Sequence, residues 1–404
     1  MPKHDPETHL VLSARERGTG LSKLRRITRD GKYIPEVDGL RFVAIAAVIL
    51  FHCMEETVYR GNFPLQVQTK YSALFHALGN GGFGVYLFFV ISGMILALPF
   101  ARYYLADGKP VSIKKYFARR LTRLEPPYIL ALFLFSLQLA ILRHGLPPGY
   151  LPHAFASLFY QHNLIYGSLT PANGVSWSLE IEVQFYVLAP AFMLYFAIPN
   201  RRGRRMLLLS VILGFSLAQG MIRMNPRAAL SLAADLQYFL AGLLFADVYL
   251  LDLERIAESL WWDLAALAVF GLAMAIPQTA NASIALPFAF ILLAVAAFRG
   301  RFFRRLMANP WISVIGGMCY SLYLLHFIVI AAIFRLSRRL LVFSDFAANL
   351  VLQMLCFIPP VLLVGVLYFV LVERPFMDPN WPSHLWKRIA LSRSMRKTPL
   401  DSGE

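Results

Sequence analysis

Apolar residues along this chain come in long, nearly unbroken runs separated by short polar segments rich in arginine and lysine. Runs of the length needed to cross a bilayer, about 17–25 residues, fall at 38–59, 82–101, 126–142, 177–198, 206–222, 232–250, 261–277, 284–298, 311–333 and 348–372. The pattern predicts an all-α integral membrane protein of about ten transmembrane helices. One connection, 143–176, is long and broken by Pro147, Pro148 and Pro171, yet too apolar for a solvated tether. It is expected to be a re-entrant or lid-like external loop, since irregular backbone at membrane depth is tolerated only against protein or a cavity. The expected organisation is a basic arm over 1–34, a membrane domain over 35–376 and a tail over 377–404.

Composition supports this reading. Hydrophobic residues make up 58% of the 404 and charged residues only 15%, against about a quarter charged in a soluble domain. The net charge of +16 would suggest nucleic acid in a soluble protein. Here the cations occupy the connections, so topology and anionic lipid explain them and no nucleic-acid partner is expected. Thirty of the 39 Lys and Arg fall on the side that carries both termini, and eight on the other. The bias predicts cytoplasmic termini and therefore an even number of spans. The first 37 residues contain no apolar run or small-residue cleavage site, so the first span is expected to direct insertion itself. Activity is then expected to arise from the spans and their connections. Cys53, Cys319 and Cys356 all lie in apolar runs without CxxC spacing and read as packing residues. The nine histidines show no HxH or HExxH pattern, so no metal site is expected.

Within the first span, Arg41 and His52 are separated only by apolar residues. Eleven residues at about 100° each put both side chains on one helix face, roughly 16 Å apart along the axis. Ionisable groups at that depth are costly and are usually kept by a partner or a task. Depth counted along the spans brings His52, Glu182 and His326 to a similar level, while Arg119, Arg120 and Arg123 accompany Arg41 at the opposite face. An acid/base cluster is thus expected above an arginine cluster. Simpler readings stand beside it. Asp38 could merely pair with Arg41, the arginines could merely mark the inner face, and each histidine could be a satisfied packing residue. Glu180 and Glu182 are two apart on one helix and must point to different sides, so they cannot form a dyad. Gly81-Gly82-Phe83-Gly84 opens the second span with no preceding strand, and close helix packing is its expected role.

The same residues resemble a known family. Asp38-Gly39-Leu40-Arg41 through His52, the Gly82–Gly93 run, Arg120-Leu-Thr-Arg123 with Pro126, Ser176-Trp177-Ser178-Leu179-Glu180-Ile181-Glu182, Tyr320 through His326, and Val372-Glu373-Arg374-Pro375-Phe376 resemble, in order, the motifs of the acyltransferase family 3 membrane proteins. Val183 stands where members often have a second acid after the one aligned with Glu182. The resemblance implies O-acylation of a carbohydrate or similar acceptor, with acyl-CoA, commonly acetyl-CoA, as donor substrate and the bacterial inner membrane as location. Under it Arg41, Arg119, Arg120 and Arg123 would bind the donor phosphates, because guanidinium forks match phosphate oxygens. His52 would be the general base, oriented by Glu182. His326 would be a second proton-handling group or an oxyanion donor. Trp177, His162, Asn163 and Tyr323 are candidates for the acceptor side. The competing reading is a polytopic exporter of a glycan or lipid-linked precursor, whose coupling carboxylates would have to include Glu182, Asp235 or Asp247.

Overall fold

The computed structural model describes residues 24–27, 33–61, 63, 66–275, 280–378 and 381. Most of the expected N-terminal arm and C-terminal tail therefore lies outside the described residues. The principal helices are α1 (Pro35–Arg60), α2 (Phe83–Leu105), α3 (Ile113–Arg143), α4 (Trp177–Phe192), α5 (Arg201–Ile222), α6 (Leu232–Leu251), α7 (Leu260–Ala275), α8 (Ala280–Arg299), α9 (Pro310–Gly317), α10 (Cys319–Ser337) and α11 (Phe346–Tyr368). Among the described residues, eight helical stretches are long and apolar enough to cross a membrane. The two other expected spans, 261–277 and 284–298, correspond to the shorter apolar helices α7 and α8. The protein is thus an all-α integral membrane protein, as its pattern predicts.

Two boundaries differ from the sequence reading. The expected ninth span, 311–333, is two helices. Pro310 starts α9 behind an Asn309 cap, whose side chain accepts from the N–H of Trp311 at 2.9 Å, and the helix stops at Gly316-Gly317. Met318 leaves helical geometry at ψ 9° before α10 begins. The third span begins earlier than hydropathy suggests, since α3 starts at Ile113. Arg119, Arg120 and Arg123 therefore stand on a helix and not in a connecting loop. The reason is that a helix continues past the apolar boundary as long as its backbone is bonded, whereas hydropathy registers only side chains.

Glycine decides how the helices approach. Lipid tails provide no hydrophobic drive between helices, so association rests on close backbone contact. A Cβ on Gly93 of α2 would collide with the Phe239 carbonyl of α6, and one on Gly242 of α6 would collide with the Val90 carbonyl of α2. Gly81 and Gly84 likewise lie against the Ala47 and Ala44 carbonyls of α1, which is the packing role expected for that run. Two apolar cores result. One gathers around α2, α4, α6 and α8, the other around α1, α3, α10 and α11.

Candidate active site

Where the two cores meet lies a cavity of about 110 Å³. Arg41 of α1, Arg120 and Arg123 of α3, Glu182 and Tyr186 of α4, and Cys319, Tyr320 and Tyr323 of α10 line it, with Val85, Phe88, Phe89, Ile95 and Leu96 of α2 as its apolar wall. Helical spacing explains the basic side. Arg120 and Arg123 are three apart on α3, hence on one face. Arg120 sits over the rings of Tyr116 and Tyr186, at 5.6 and 5.5 Å, where the ring faces favour a cation. Arg123 lies 3.8 Å from Glu373, whose other oxygen accepts from the Ser321 hydroxyl at 2.6 Å. Glu373 reaches this position because α11 ends in a π turn, Phe369–Glu373, which rotates the last residues relative to a regular helix. Arg41 donates to Asp38 at 2.6 Å, the simple pairing that the sequence allowed. Arg119 is exposed and donates to the Lys115 carbonyl at 2.8 Å; it is not among the residues lining the cavity.

Glu180 and Glu182 separate as their spacing requires. Glu182 faces the cavity and accepts hydrogen bonds from Ser92 and Tyr186. Glu180 is buried on another side, where it accepts from the Asn163 backbone N–H at 2.8 Å. Asn163 also donates through its side chain to the Trp177 carbonyl at 2.8 Å. Glu180 and Asn163 thus fasten the 143–176 connection onto α4. That connection is folded, with helices Tyr150–Leu158 and His162–Tyr166. Tyr323 joins the same region, bonding the Val175 carbonyl and the Ser178 hydroxyl. Of the four candidate acceptor residues, Tyr323 lines the cavity, whereas Asn163 bonds Glu180 and the Trp177 carbonyl and His162 pairs with His153 within the segment.

The histidines form a pair of their own. The rings of His52 and His326 are 5.1 Å apart, and His326 stands 6.3 Å from the Tyr323 ring. The carboxylate on His52 is Glu55, one turn along α1, with Oε2 2.8 Å from Nδ1. This corrects the expected His52–Glu182 pairing: Glu182 is held by Ser92 and Tyr186 among the arginines. The i, i+3 spacing of His52 and Glu55 was a usable signal that depth counting overlooked. Tyr186, four residues after Glu182, was equally readable. Ser92 and Cys319 had no linear signal. Nδ1 of His326 lies 2.8 Å from the Tyr323 carbonyl and 3.1 Å from that of Leu322. Carbonyls only accept, so the neutral ring carries its hydrogen on Nδ1 and leaves Nε2 as a bare acceptor. In that form it has no hydrogen on Nε2 to offer an oxyanion. Cys53, adjacent to His52 in sequence, is buried in the second core.

Two of the three carboxylates that an exporter would draw on are engaged by cations, while Glu182 is bonded by hydroxyls. Asp235 pairs with Arg223 at 2.8 Å, and Asp247 accepts from Arg204 at 2.7 Å and Arg205 at 2.6 Å.

Outside the spans, His162 is buried and its Nε2 meets Nδ1 of His153 at 2.8 Å. Burial first, and the charge of His153 second, hold the His162 pKa below the ordinary histidine value. A histidine with a depressed folded pKa is bound by its proton more readily in the open form, so the segment loses stability as pH falls through the unfolded value, about 6.5. Amide hydrogen-exchange protection across 150–166, taken relative to the intrinsic exchange rate at each pH, is accordingly expected to fall as pH drops through about 6.5, and His162→Phe to flatten that dependence. Equal pH dependence in the variant would show that this pair does not govern the segment.

Comparison with known proteins agrees with the geometry. Residues 34–370 match the model of the family described as acyltransferase domain, acyltransferase family 3. The peptidoglycan O-acetyltransferase OatA of Listeria monocytogenes is 30% identical over 207 residues, 48% of this chain and 29% of the relative. A putative peptidoglycan O-acetyltransferase, YrhL of Bacillus subtilis, is 32% identical over 183 residues, 41% of this chain and 24% of the relative. Putative O-acetyltransferases of Staphylococcus aureus are 27–28% identical over 185 residues. The chain therefore spans less than a third of the length of these relatives. No solved structure matches it. Because the family model runs through α1, α2, α3, α4 and α10, the helices that carry the cavity and the histidine pair, this chain belongs to the acyltransferase family 3 membrane proteins.

Proposed function

We propose that this protein transfers an acyl group, most simply acetyl, from acyl-CoA on the cytoplasmic side to a hydroxyl of a carbohydrate acceptor on the outer side of the membrane. The observation that carries this reading is the arrangement of one cavity. Arg41, Arg120 and Arg123 line it, Tyr323 forms part of its wall, and Tyr323, His326 and His52 then follow within ring-to-ring distances of 6.3 and 5.1 Å. The Listeria relative is named a peptidoglycan O-acetyltransferase and the Bacillus relative a putative one, which supports a glycan acceptor here.

In this mechanism the arginines take the donor phosphates, since charge-assisted forks are the strongest phosphate contacts a side chain makes. The acceptor oxygen attacks the thioester carbonyl while Nε2 of His52 removes the hydroxyl proton. Glu55 holds the Nδ1 hydrogen of His52, which leaves Nε2 with its lone pair, and stabilises the imidazolium once it forms. The tetrahedral intermediate then breaks its C–S bond. Nε2 returns the proton to the departing sulfur, giving the ester and free CoA thiol. His326, with its own Nε2 bare, is a second proton acceptor beside His52. Glu182, bonded by two hydroxyls among the arginines, orders the donor cavity.

The test is release of CoA from acetyl-CoA by the full chain in nanodiscs, with Glu55→Gln alongside. Wild type is expected to turn over acetyl-CoA. Glu55→Gln is expected to lower kcat about 10- to 100-fold with little change in the acetyl-CoA KM, as loss of an orienting group beside a proton-transfer residue does. Wild type that neither binds nor consumes acyl-CoA would sink the donor assignment. An unchanged kcat in Glu55→Gln would remove Glu55 from the reaction.

A further inference from the structure

The cavity's formal charge is nearly balanced without a further cation. Arg41, Arg120 and Arg123 face Asp38, Glu182 and Glu373, three arginines against three carboxylates. A pocket so balanced attracts a polyanion weakly. One more guanidinium stands at its edge, and it comes from the segment before α1. Arg26 donates through Nε to Asp38 Oδ2 at 2.9 Å, while Arg41 takes Oδ1 of the same carboxylate. Asp38 is fully buried and the Arg26 side chain is 10% exposed. One carboxylate thus carries two guanidinium groups, and the excess positive charge belongs to the pair.

The segment that supplies Arg26 is fastened on both sides. Leu24 packs against Val314, Met318 and Phe369, at the break between α9 and α10 and at the π turn. The Arg25 carbonyl accepts from Arg374 at 3.3 Å, and the Arg25 guanidinium covers the Tyr33 ring. A Cβ added at Gly317 would lie 3.8 Å from Asp38 Oδ2 and 4.0 Å from the Arg26 stem, ordinary contact distances, so Gly317 borders the ion pair without crowding it. Burial, then the neighbouring charge of Arg41, hold the Arg26 pKa down to about 10, with Arg123 adding in the same direction. A cation crowded by cations gains from an incoming anion.

We propose that Arg26 is a fourth donor-binding residue, brought by the N-terminal segment to the phosphate-bearing nucleotide end of acyl-CoA. This rests on the acyl-CoA reading above. Asp38 then acts as the hinge of charge: it holds Arg26 and Arg41 together when the cavity is empty, and both can share it with phosphate oxygens when the donor is bound.

Adenosine 3′,5′-bisphosphate, which has the phosphates at the nucleotide end but no thioester, separates the two claims. Its binding to the full chain in nanodiscs would be measured by calorimetry for wild type, Arg26→Ala and Arg26→Lys, together with acetyl-CoA kinetics. Arg26→Ala is expected to weaken bisphosphate binding about tenfold, raise the acetyl-CoA KM by a similar factor, and leave kcat within about twofold. Arg26→Lys keeps the charge without the fork and is expected to fall between the two. Bisphosphate binding unchanged in Arg26→Ala overturns the proposal while leaving the donor reading intact. A loss of kcat and thermal stability in both variants, at unchanged KM, would make the contact with Asp38 purely structural. Absence of bisphosphate binding to a wild type that turns over acetyl-CoA would likewise overturn the proposal, whereas absence of both binding and acetyl-CoA turnover would overturn the acyl-CoA reading itself.

Discussion

Replacement of His52 by alanine is expected to lower the rate of acyl transfer by about 10²- to 10⁴-fold, the range that a positioned general base contributes. The acetyl-CoA KM should change little, because the arginines proposed to hold the donor line the cavity and His52 is not among its lining residues. The expected loss is larger than that for Glu55→Gln, since removing Glu55 leaves an imidazole that can still accept a proton, only less well held. Stability should be nearly unaffected. The His52 side chain is 15% exposed, and among the described residues its hydrogen-bond partner is Glu55, a side chain 36% exposed that water can satisfy in the variant. CoA release and intact-protein melting temperature, measured on the same nanodisc sample, decide the matter. Retention of more than a tenth of wild-type activity would transfer the base role to His326, whose Nε2 is the next acceptor along the line. The double variant His52→Ala/His326→Ala would then extinguish the remainder.

Gly316→Ala is expected to have the largest effect on stability. A Cβ at this position would lie well inside van der Waals contact of the Asp38 carbonyl oxygen, with the Phe42 backbone nitrogen at 2.8 Å. Both obstacles are main chain of α1 and cannot rotate away. The helices must separate, at a cost of about 3 kcal/mol or more, the upper range for an overpacked site. Since Asp38 is the residue that joins Arg26 and Arg41, the same shift should raise the acyl-CoA KM of whatever folded protein remains. Gly214→Ala on α5 is the control, because nothing lies within 4 Å of a Cβ there. Glycine in a helix costs about 1 kcal/mol relative to alanine, so the control is expected to gain stability while Gly316→Ala loses it. A matched rise in the melting temperatures of both variants would mean that α9 does not cross α1 at this point.

The alternation of apolar runs and basic connections determined, by itself, that the chain is an all-α membrane protein. It also singled out the ionisable residues that the structure places at or beside the cavity. Helical periodicity fixes the angle of a side chain around its own axis, so the common face of Arg41 and His52 and the divergence of Glu180 from Glu182 were readable without a structure. The family motifs placed Arg120, Arg123, Tyr320 and His326 in one protein. Which of these side chains touch was not readable. Periodicity says nothing of the rotation and height of one helix relative to another. In a bilayer those are set by where glycines such as Gly93, Gly242 and Gly316 let backbones meet. That is why Glu182, at the depth expected for a partner of His52, lies with the arginines, and why Glu55 takes its place. The break at Met318, the π turn that delivers Glu373, and the docking of Arg26 onto Asp38 are likewise tertiary decisions. Each depends on contacts between segments far apart in the chain, and only the folded arrangement of α1, α9, α10 and α11 brings those segments within bonding distance.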